Sequence, residues 1–130
     1  MTVPRKIVDQ QIKALGAFDS WFAKREIAQY LPEVLLDGEI ILFMTSGIYD
    51  RDTWLITVTD IRLIFLDKGM LFGFKQHELP YNKINSISYS LGFTLASASL
   101  DTTYGPVKID NLPKSDAVKL TELVSGNVRK

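Results

Sequence analysis

The sequence contains no cysteine and a single histidine among its 130 residues. The missing cysteines exclude disulfide bonds, thiolate catalysis and cysteine-based zinc or iron–sulfur sites, and one histidine excludes a multi-histidine metal site within one chain. No charge of either sign is in excess, because fifteen basic side chains balance fifteen acidic ones. This balance argues against nucleic acid, or an anionic membrane, as a partner recognised through bulk charge.

Long apolar runs are also missing. The longest purely apolar run, residues 40–44, is far shorter than the ~20 residues that a membrane helix needs. Residues 1–13 have no continuous apolar stretch and therefore do not resemble a signal peptide. The sequence predicts a soluble, cytoplasmic protein.

The residues that could carry catalysis do not form a known constellation. His77 has no nucleophile motif near it, which favours a structural or surface histidine. Asp50 and Asp52 flank an arginine in a turn, without the glycine and terminal glutamate of a calcium loop. Gly69 and Gly73 match neither a phosphate-binding nor a dinucleotide-binding loop. We therefore predict no enzyme activity, no cofactor and no metal.

A hydrophobic content of 46% supports one domain with a real core. Residues 1–35 have helical periodicity, with a break at Gly16 and a second helix beginning near Ser20. Pro32 is expected to kink this helix or to open its final turn. The apolar stripes of these helices fit packing onto the rest of the domain, docking onto a second subunit, or contact with a membrane surface. The second stripe consists of Phe22, Ile27, Tyr30, Leu31 and Val34.

From Glu39 onward the apolar period changes to two, which predicts about seven short strands. The fourth strand is predicted over Phe72–Leu79, the sixth over Phe93–Leu100 and the last over Val107–Ile109. The fifth strand alternates an apolar row, Ile87, Tyr89 and Leu91, with a serine row, Ser86, Ser88 and Ser90, and is predicted to be half-buried. A final amphipathic helix follows Pro113 and is suited to capping an open barrel end.

Several segments, in this order, resemble the bacterial pleckstrin-homology (PH) domain family. They are LDGEII at 36–41, LITVTDIRLIFL at 55–66, LPYNKI at 79–84 followed by Ile87, and NLP at 111–113. The resemblance implies a mainly β, PH-like seven-stranded antiparallel barrel or sandwich, capped by a C-terminal helix, with an N-terminal helical extension. We accordingly predict a helical extension over 1–35 and a PH-like domain over 36–127. The resemblance also implies a non-enzymatic module that frequently self-associates.

Inositide binding is not expected, because the loops that would hold phosphate contain Arg51 and Lys68 against four aspartates at 50, 52, 67 and 101. The candidate interaction surface has three parts. Trp54 can be a core edge or a contact, and Met70 with Leu71 can meet a subunit, insert into a bilayer or fold back over the barrel. The serine row Ser86, Ser88 and Ser90, continued by Ser97 and Ser99, can be a solvated face or a sheet edge or face on which a subunit packs.

The leading hypothesis is a homo-oligomeric protein-interaction module, whose partner is a second copy of the chain or another protein. One alternative is a peripheral membrane or lipid-binding module that uses the apolar loop tip. Another is a small-ligand carrier or enzyme that uses the barrel interior, which would require that interior not to be filled by Trp54, Ile56, Phe65 and Tyr89.

Overall fold

The computed structural model describes residues 33–67 and 76–129. The predicted N-terminal helices, and the loop tip Met70–Leu71, lie outside these ranges. Seven strands, one long α-helix and a 3-10 turn over Tyr81–Lys83 form most of the described part. The strands are β1 (Ile41–Tyr49), β2 (Asp52–Thr59), β3 (Arg62–Asp67), β4 (Gln76–Pro80), β5 (Ile84–Leu91), β6 (Ala96–Thr102) and β7 (Gly105–Leu112), followed by the helix α1 (Lys114–Val128).

All strand pairs are antiparallel, and the order across the sheet is β4-β3-β2-β1-β7-β6-β5. The strands β1 and β7 join the two halves through the pair Ile48 and Asp110. This junction requires a close approach at Gly47, where an added Cβ would lie 2.6 Å from Ile109 Cγ2 and 3.0 Å from the Asp110 carbonyl oxygen. The predicted mainly β, seven-stranded antiparallel architecture with a C-terminal helix is confirmed.

The core lies between the two halves of the sheet and is closed by α1. Ala117, Leu120 and Val124, spaced on one helical face, are buried in the same apolar cluster as the inward-facing residues of β2, β3, β6 and β7. Thr45 Oγ1 donates a hydrogen bond to Asp116 Oδ2 at 2.8 Å, which ties the first turn of the helix to β1.

Three strands have bounds that differ from the prediction. The fourth ends at Pro80 instead of Leu79, and its predicted start at Phe72 lies outside the described residues. The sixth spans Ala96–Thr102 instead of Phe93–Leu100. The last strand spans Gly105–Leu112 and is longer than the predicted three residues, because ladder partners on β6 extend its pairing beyond its short apolar core.

Candidate interaction surface

The serine row lies on the outward face of the β5–β6 hairpin. Ser88 pairs with Ser99 and Ser90 pairs with Ser97, so these four side chains share one side of the sheet. Ser86, Ser88, Ser90 and Ser99 are exposed, and Ser97 is half-buried. The structure therefore brings together the five serines that the sequence analysis grouped, with Asp101 opposite Ser86 and Lys108 opposite Ser99 at the border of this face.

The other face of β5 corrects a prediction. The apolar row Ile87, Tyr89 and Leu91 was expected to be buried, yet Tyr89 is 44% and Leu91 53% exposed. The reason is the direction of α1, whose last turns lie beside Ser86 and Ile87 near the start of β5. The helix thus covers the beginning of the strand and leaves its end open within the described part of the chain.

The turn between β5 and β6 extends this apolar surface. Phe93 is 97% exposed, and Leu95 beside it is also exposed. The turn is closed by a hydrogen bond from the Gly92 amide to the Leu95 carbonyl oxygen, 2.8 Å long, which holds Phe93 at the tip. We call Tyr89, Leu91, Phe93 and Leu95 the hairpin-tip patch.

The strand β5 and the turn after it carry no charge, since no Asp, Glu, Lys or Arg occurs in residues 84–100, and the charged residue of β6 is Asp101, opposite Ser86. The strand β5 is also one edge of the described sheet. The opposite edge strand, β4, is shorter and contains His77, Glu78 and a terminal Pro80. Charged residues, proline and short length are the usual protection of an edge strand against pairing with another chain. Among the described strands, β4 has this protection and β5 lacks it.

Trp54 is not part of the surface, and its place among the candidate interaction residues is corrected. The side chain is 3% exposed. Its Nε1 donates a hydrogen bond to the Tyr49 carbonyl oxygen at 2.8 Å, and its ring contacts those of Phe65 and His77. Trp54 points inward because it alternates with Thr53 and Leu55 on a strand whose inner face meets the core.

The barrel interior is filled by three of the four side chains named for it. Trp54, Ile56 and Phe65 are buried in the core, whereas Tyr89 lies outside it. A cleft of about 380 Å³ remains between β4 and the β6–β7 turn, lined by Tyr49, Phe65, His77, Tyr104 and neighbouring residues. No group of side chains suited to holding a metal ion occurs in residues 33–67 and 76–129.

A buried polar cluster that the sequence analysis did not predict joins the segment before β1 to the β2–β3 turn. Arg62 donates to Glu39 through Nε and Nη2, at 3.0 and 2.9 Å, and through Nη2 also to the Val34 carbonyl oxygen at 2.9 Å. Its Nη1 contacts Glu78. Thr59 Oγ1 donates to Glu39 Oε2 at 2.6 Å. The signal in the sequence was a glutamate, a threonine and an arginine inside otherwise apolar segments.

The protonation states of this cluster follow from its contacts. Burial would raise the pKa of the Glu39 carboxyl, but hydrogen bonds from Arg62 and Thr59 outweigh burial and hold that pKa below its ordinary value of 4.5. The hydrogen bond to Glu39 raises the pKa of Arg62. Burial raises the pKa of Tyr81, whose hydroxyl donates to the Thr59 carbonyl oxygen at 2.6 Å. The cluster is a charged structural pair that stays ionised, with no sign of a group prepared for proton transfer.

Comparison with known proteins agrees with this fold. The model of the bacterial PH domain family matches residues 35–126. No curated protein matches the chain. A pleckstrin homology domain from Shewanella amazonensis is similar in structure, with a TM-score of 0.59 at 20% identity over 81% of this chain and 97% of that one.

Two further solved structures are similar. A DUF1696-family protein with a pleckstrin-homology domain, from Shewanella loihica, has a TM-score of 0.58 at 22% identity, covering 80% of this chain and 95% of its own. The C-terminal domain of an unknown protein from Leishmania infantum has a TM-score of 0.54 at 15% identity, covering 87% and 97%. At these identities the likeness shows the fold alone.

Proposed function

The chain belongs to the bacterial PH domain family, and on this premise we propose that it is a non-enzymatic protein-interaction module that self-associates through β5. In this arrangement β5 of one copy pairs with β5 of a second copy, antiparallel, about a two-fold axis. The two sheets then continue into one another across the interface.

The observation that carries this proposal is the unprotected edge. The strand β5 is eight residues long, lies at the end of the strand order and carries no charged residue. An exposed, long edge strand of this kind leaves a row of backbone donors and acceptors ready for another strand. The serine row supports the same conclusion, because small side chains on the outward face let a second sheet edge approach without obstruction.

The hairpin-tip patch supplies the apolar component of the proposed interface. Removal of exposed apolar groups from water contributes about 25 cal/mol per Å² to the free energy of association. Hydrogen bonds between two strand edges contribute less, because they replace hydrogen bonds to water. The cleft between β5 and α1, about 190 Å³ and lined by Ile87, Ser125 and Val128 among others, provides space for side chains that reach over from the second copy.

Solution mass and two matched double variants test the proposal. Light scattering at micromolar concentration is expected to give twice the monomer mass of 14.7 kDa. The variant Ser88→Lys/Ser90→Lys places like charges opposite one another across the two-fold axis, which is destabilising, and is expected to be monomeric. The control Ser97→Lys/Ser99→Lys carries the same charges on the same face, but on the inner strand β6, and is expected to stay dimeric.

A monomeric mass for the unmodified chain at all concentrations would overturn the proposal. Loss of the dimer in both double variants would overturn edge pairing specifically, because it would show that the second copy packs on the serine face. Circular dichroism of each variant establishes that the sheet is retained, so that a change of mass reports association.

One observation favours a second candidate function, that of a peripheral membrane module. Phe93 at the hairpin tip is almost fully exposed, with Leu91 and Leu95 next to it, and an apolar tip can insert into a bilayer. Among the described residues no helix is long and apolar enough to cross a membrane. Flotation with neutral and with anionic vesicles tests this function, and Phe93→Ser is expected to abolish any binding. Absence of flotation with both vesicles would exclude it.

A further inference from the structure

The half of the sheet formed by β1–β3 is buried on both of its faces. The inward residues Trp54, Ile56 and Phe65 belong to the core. The residues that alternate with them point to the opposite side, and they are no more than 1% exposed. We call these residues the outer face: Met44, Leu55, Thr57, Ile64 and Leu66.

The outer face is one contiguous patch. Met44 pairs with Thr57, and Thr57 with Ile64, so three strands contribute to a single row. Leu55 pairs with Leu66 in the next row. An antiparallel sheet that is solvated on one side alternates apolar and polar residues, whereas β2 and β3 carry apolar side chains on both sides. This pattern is typical of a sheet that forms the middle layer of a three-layer structure.

The strands β1–β7 and the helix α1 do not provide the third layer, because α1 and β5–β7 contribute their buried side chains to the core on the inner side. Val34 and Leu35 are also buried, but they are not part of that core. The candidates for the cover are therefore the segment that ends near Leu35 and residues 68–75.

The course of the chain at Val34 indicates which segment it is. Glu33 and Val34 have helical backbone, and Val34 and Leu35 are buried. The Val34 carbonyl oxygen is held by Arg62 Nη2 at 2.9 Å, and Arg62 begins β3. The chain at Glu33 and Val34 is thus helical and is held at the start of β3.

We infer that the outer face is the docking site of the chain's own residues 20–34, which pack on it as an amphipathic helix. The sequence predicts such a helix, with the stripe Phe22, Ile27, Tyr30, Leu31 and Val34. At 1.5 Å per residue, fifteen residues extend about 22 Å, and three strands spaced by about 4.8 Å are narrower than that. The length suffices to cross the face.

The polar content of the outer face fits an apolar cover. Thr57 Oγ1 is buried there without a hydrogen-bond partner. A polar cover, or water between the layers, would normally satisfy such a hydroxyl. A stripe of Phe, Ile and Leu side chains and a Tyr ring excludes water and offers the Thr57 hydroxyl no hydrogen-bond partner. The N-terminal segment is then a layer of the domain, and this face is closed to partners, which is independent of the proposed pairing through β5.

Thiol reactivity in the full chain tests this inference, because the absence of native cysteine makes every introduced thiol unique. Thr57→Cys reports on the outer face, Ala98→Cys on the core side and Ser88→Cys on an exposed strand. In otherwise unmodified chains, the thiol at 57 is expected to react with Ellman's reagent at least a hundredfold more slowly than the thiol at 88. Reaction at a similar rate would show an open face and overturn the inference.

Two further substitutions identify the cover. Ile27→Glu, on the stripe, is expected to accelerate labelling at 57 at least tenfold while labelling at 98 stays unchanged. Arg25→Glu, on the opposite side of the predicted helix from Ile27 and Leu31, is expected to leave both rates unchanged. If Ile27→Glu prevents folding, Ile27→Ala replaces it, with an expected acceleration of at least threefold.

If Ile27→Glu accelerates labelling equally at 57 and 98, residues 20–34 stabilise the whole domain. That result would overturn docking on the outer face specifically. Acceleration by Phe72→Glu but not by Ile27→Glu would assign the cover to residues 68–75 instead. Faster labelling at 57 on dilution would show that the helix comes from a second copy, whereas a concentration-independent rate supports docking within one chain.

Discussion

Arg62 donates two parallel hydrogen bonds to Glu39, from Nε to Oε2 at 3.0 Å and from Nη2 to Oε1 at 2.9 Å, and both side chains are buried. The bidentate geometry makes this one of the stronger kinds of ion pair. Glu39 precedes β1 and Arg62 begins β3. The pair therefore holds the segment before β1 against the start of β3, where the proposed N-terminal layer ends. Removal of Glu39 would leave the half-exposed Glu78 as the carboxylate in contact with Arg62, and removal of Arg62 would take two charge-assisted hydrogen bonds from the buried Glu39 carboxylate.

Glu39→Gln is expected to lower the free energy of unfolding at pH 7 by about 3–5 kcal/mol, the usual cost of removing one partner of a buried pair. Chemical denaturation followed by tryptophan fluorescence measures this loss. The double variant Glu39→Met/Arg62→Met is expected to lose less than the sum of the two single variants, because neither of the two buried charges remains. An additive loss would contradict the role of the pair.

Acid should act through the same pair. The folded-state pKa of Glu39 lies below its ordinary value of 4.5, so ionised Glu39 stabilises the fold above that value. This contribution is lost as the pH falls through the folded-state pKa. The free energy of unfolding of the unmodified chain is expected to decline below about pH 4.5 more steeply than that of Glu39→Gln. Parallel declines would show that other carboxyls dominate acid unfolding.

Gly47→Ala is expected to destabilise the protein by about 1–3 kcal/mol, as over-packing in a core does. The added methyl group would collide with Ile109 and the backbone of β7, where β1 closes the barrel. Gly126→Ala is the matched control, because Gly126 lies in α1 with nothing within 4 Å of an added Cβ. There we expect a gain of up to about 1 kcal/mol from helix propensity. Thermal melts of both variants measure these opposite signs.

The two-residue turn between β1 and β2 has an unfavourable residue, Arg51, at its second position, where Asp-Gly turns have glycine. Asp50 and Arg51 have φ of 50° and 69°, the left-handed region in which type I′ hairpin turns prefer Asn-Gly. Arg51→Gly is expected to stabilise the protein by about 0.5–1 kcal/mol, since relief of left-handed strain exceeds the entropy cost of glycine. Arg51→Ala keeps the strain and should bring no gain. Equal melting temperatures of these two variants would refute the explanation.

Thr57→Val is expected to raise the free energy of unfolding by about 1–2 kcal/mol, because it removes a buried hydroxyl that has no partner. Thr45→Val is the control. Thr45 is equally buried, but its hydroxyl donates to Asp116, so its removal is expected to cost about 1 kcal/mol. Urea denaturation of both variants checks the difference in sign. A loss of stability in Thr57→Val would indicate an unrecognised partner for the Thr57 hydroxyl.

Much of the fold could be predicted from local patterns. Alternating apolar residues located β1, β2 and β3, and Pro113 marked the start of α1, because period and backbone chemistry are properties of the chain itself. The fifth strand shows the limit. Its alternation predicted that Tyr89 and Leu91 are buried, but burial depends on the direction of α1, which covers only the beginning of that strand.

The candidate surface was predicted in the same uneven way. The serine row was found because small, uncharged residues recur every second position. Trp54 was left open between a core edge and a contact, since a tryptophan beside a turn faces the core or the solvent according to the strand register, and the structure places it in the core. The ion pair between Glu39 and Arg62 was missed, because the two residues are 23 positions apart and meet only when the sheet forms.

By itself, the sequence determined the strand periods, the terminal helix, the absence of thiol and multi-histidine chemistry, and an uncharged stretch over residues 84–100. Only the tertiary structure decided that this stretch lies at a sheet edge, that its apolar side remains open, and that the opposite half of the sheet is buried on both faces. The reason is physical. Periodicity states which side chains share a face of an element, whereas burial is a property of two surfaces, and the second surface comes from elsewhere in the chain.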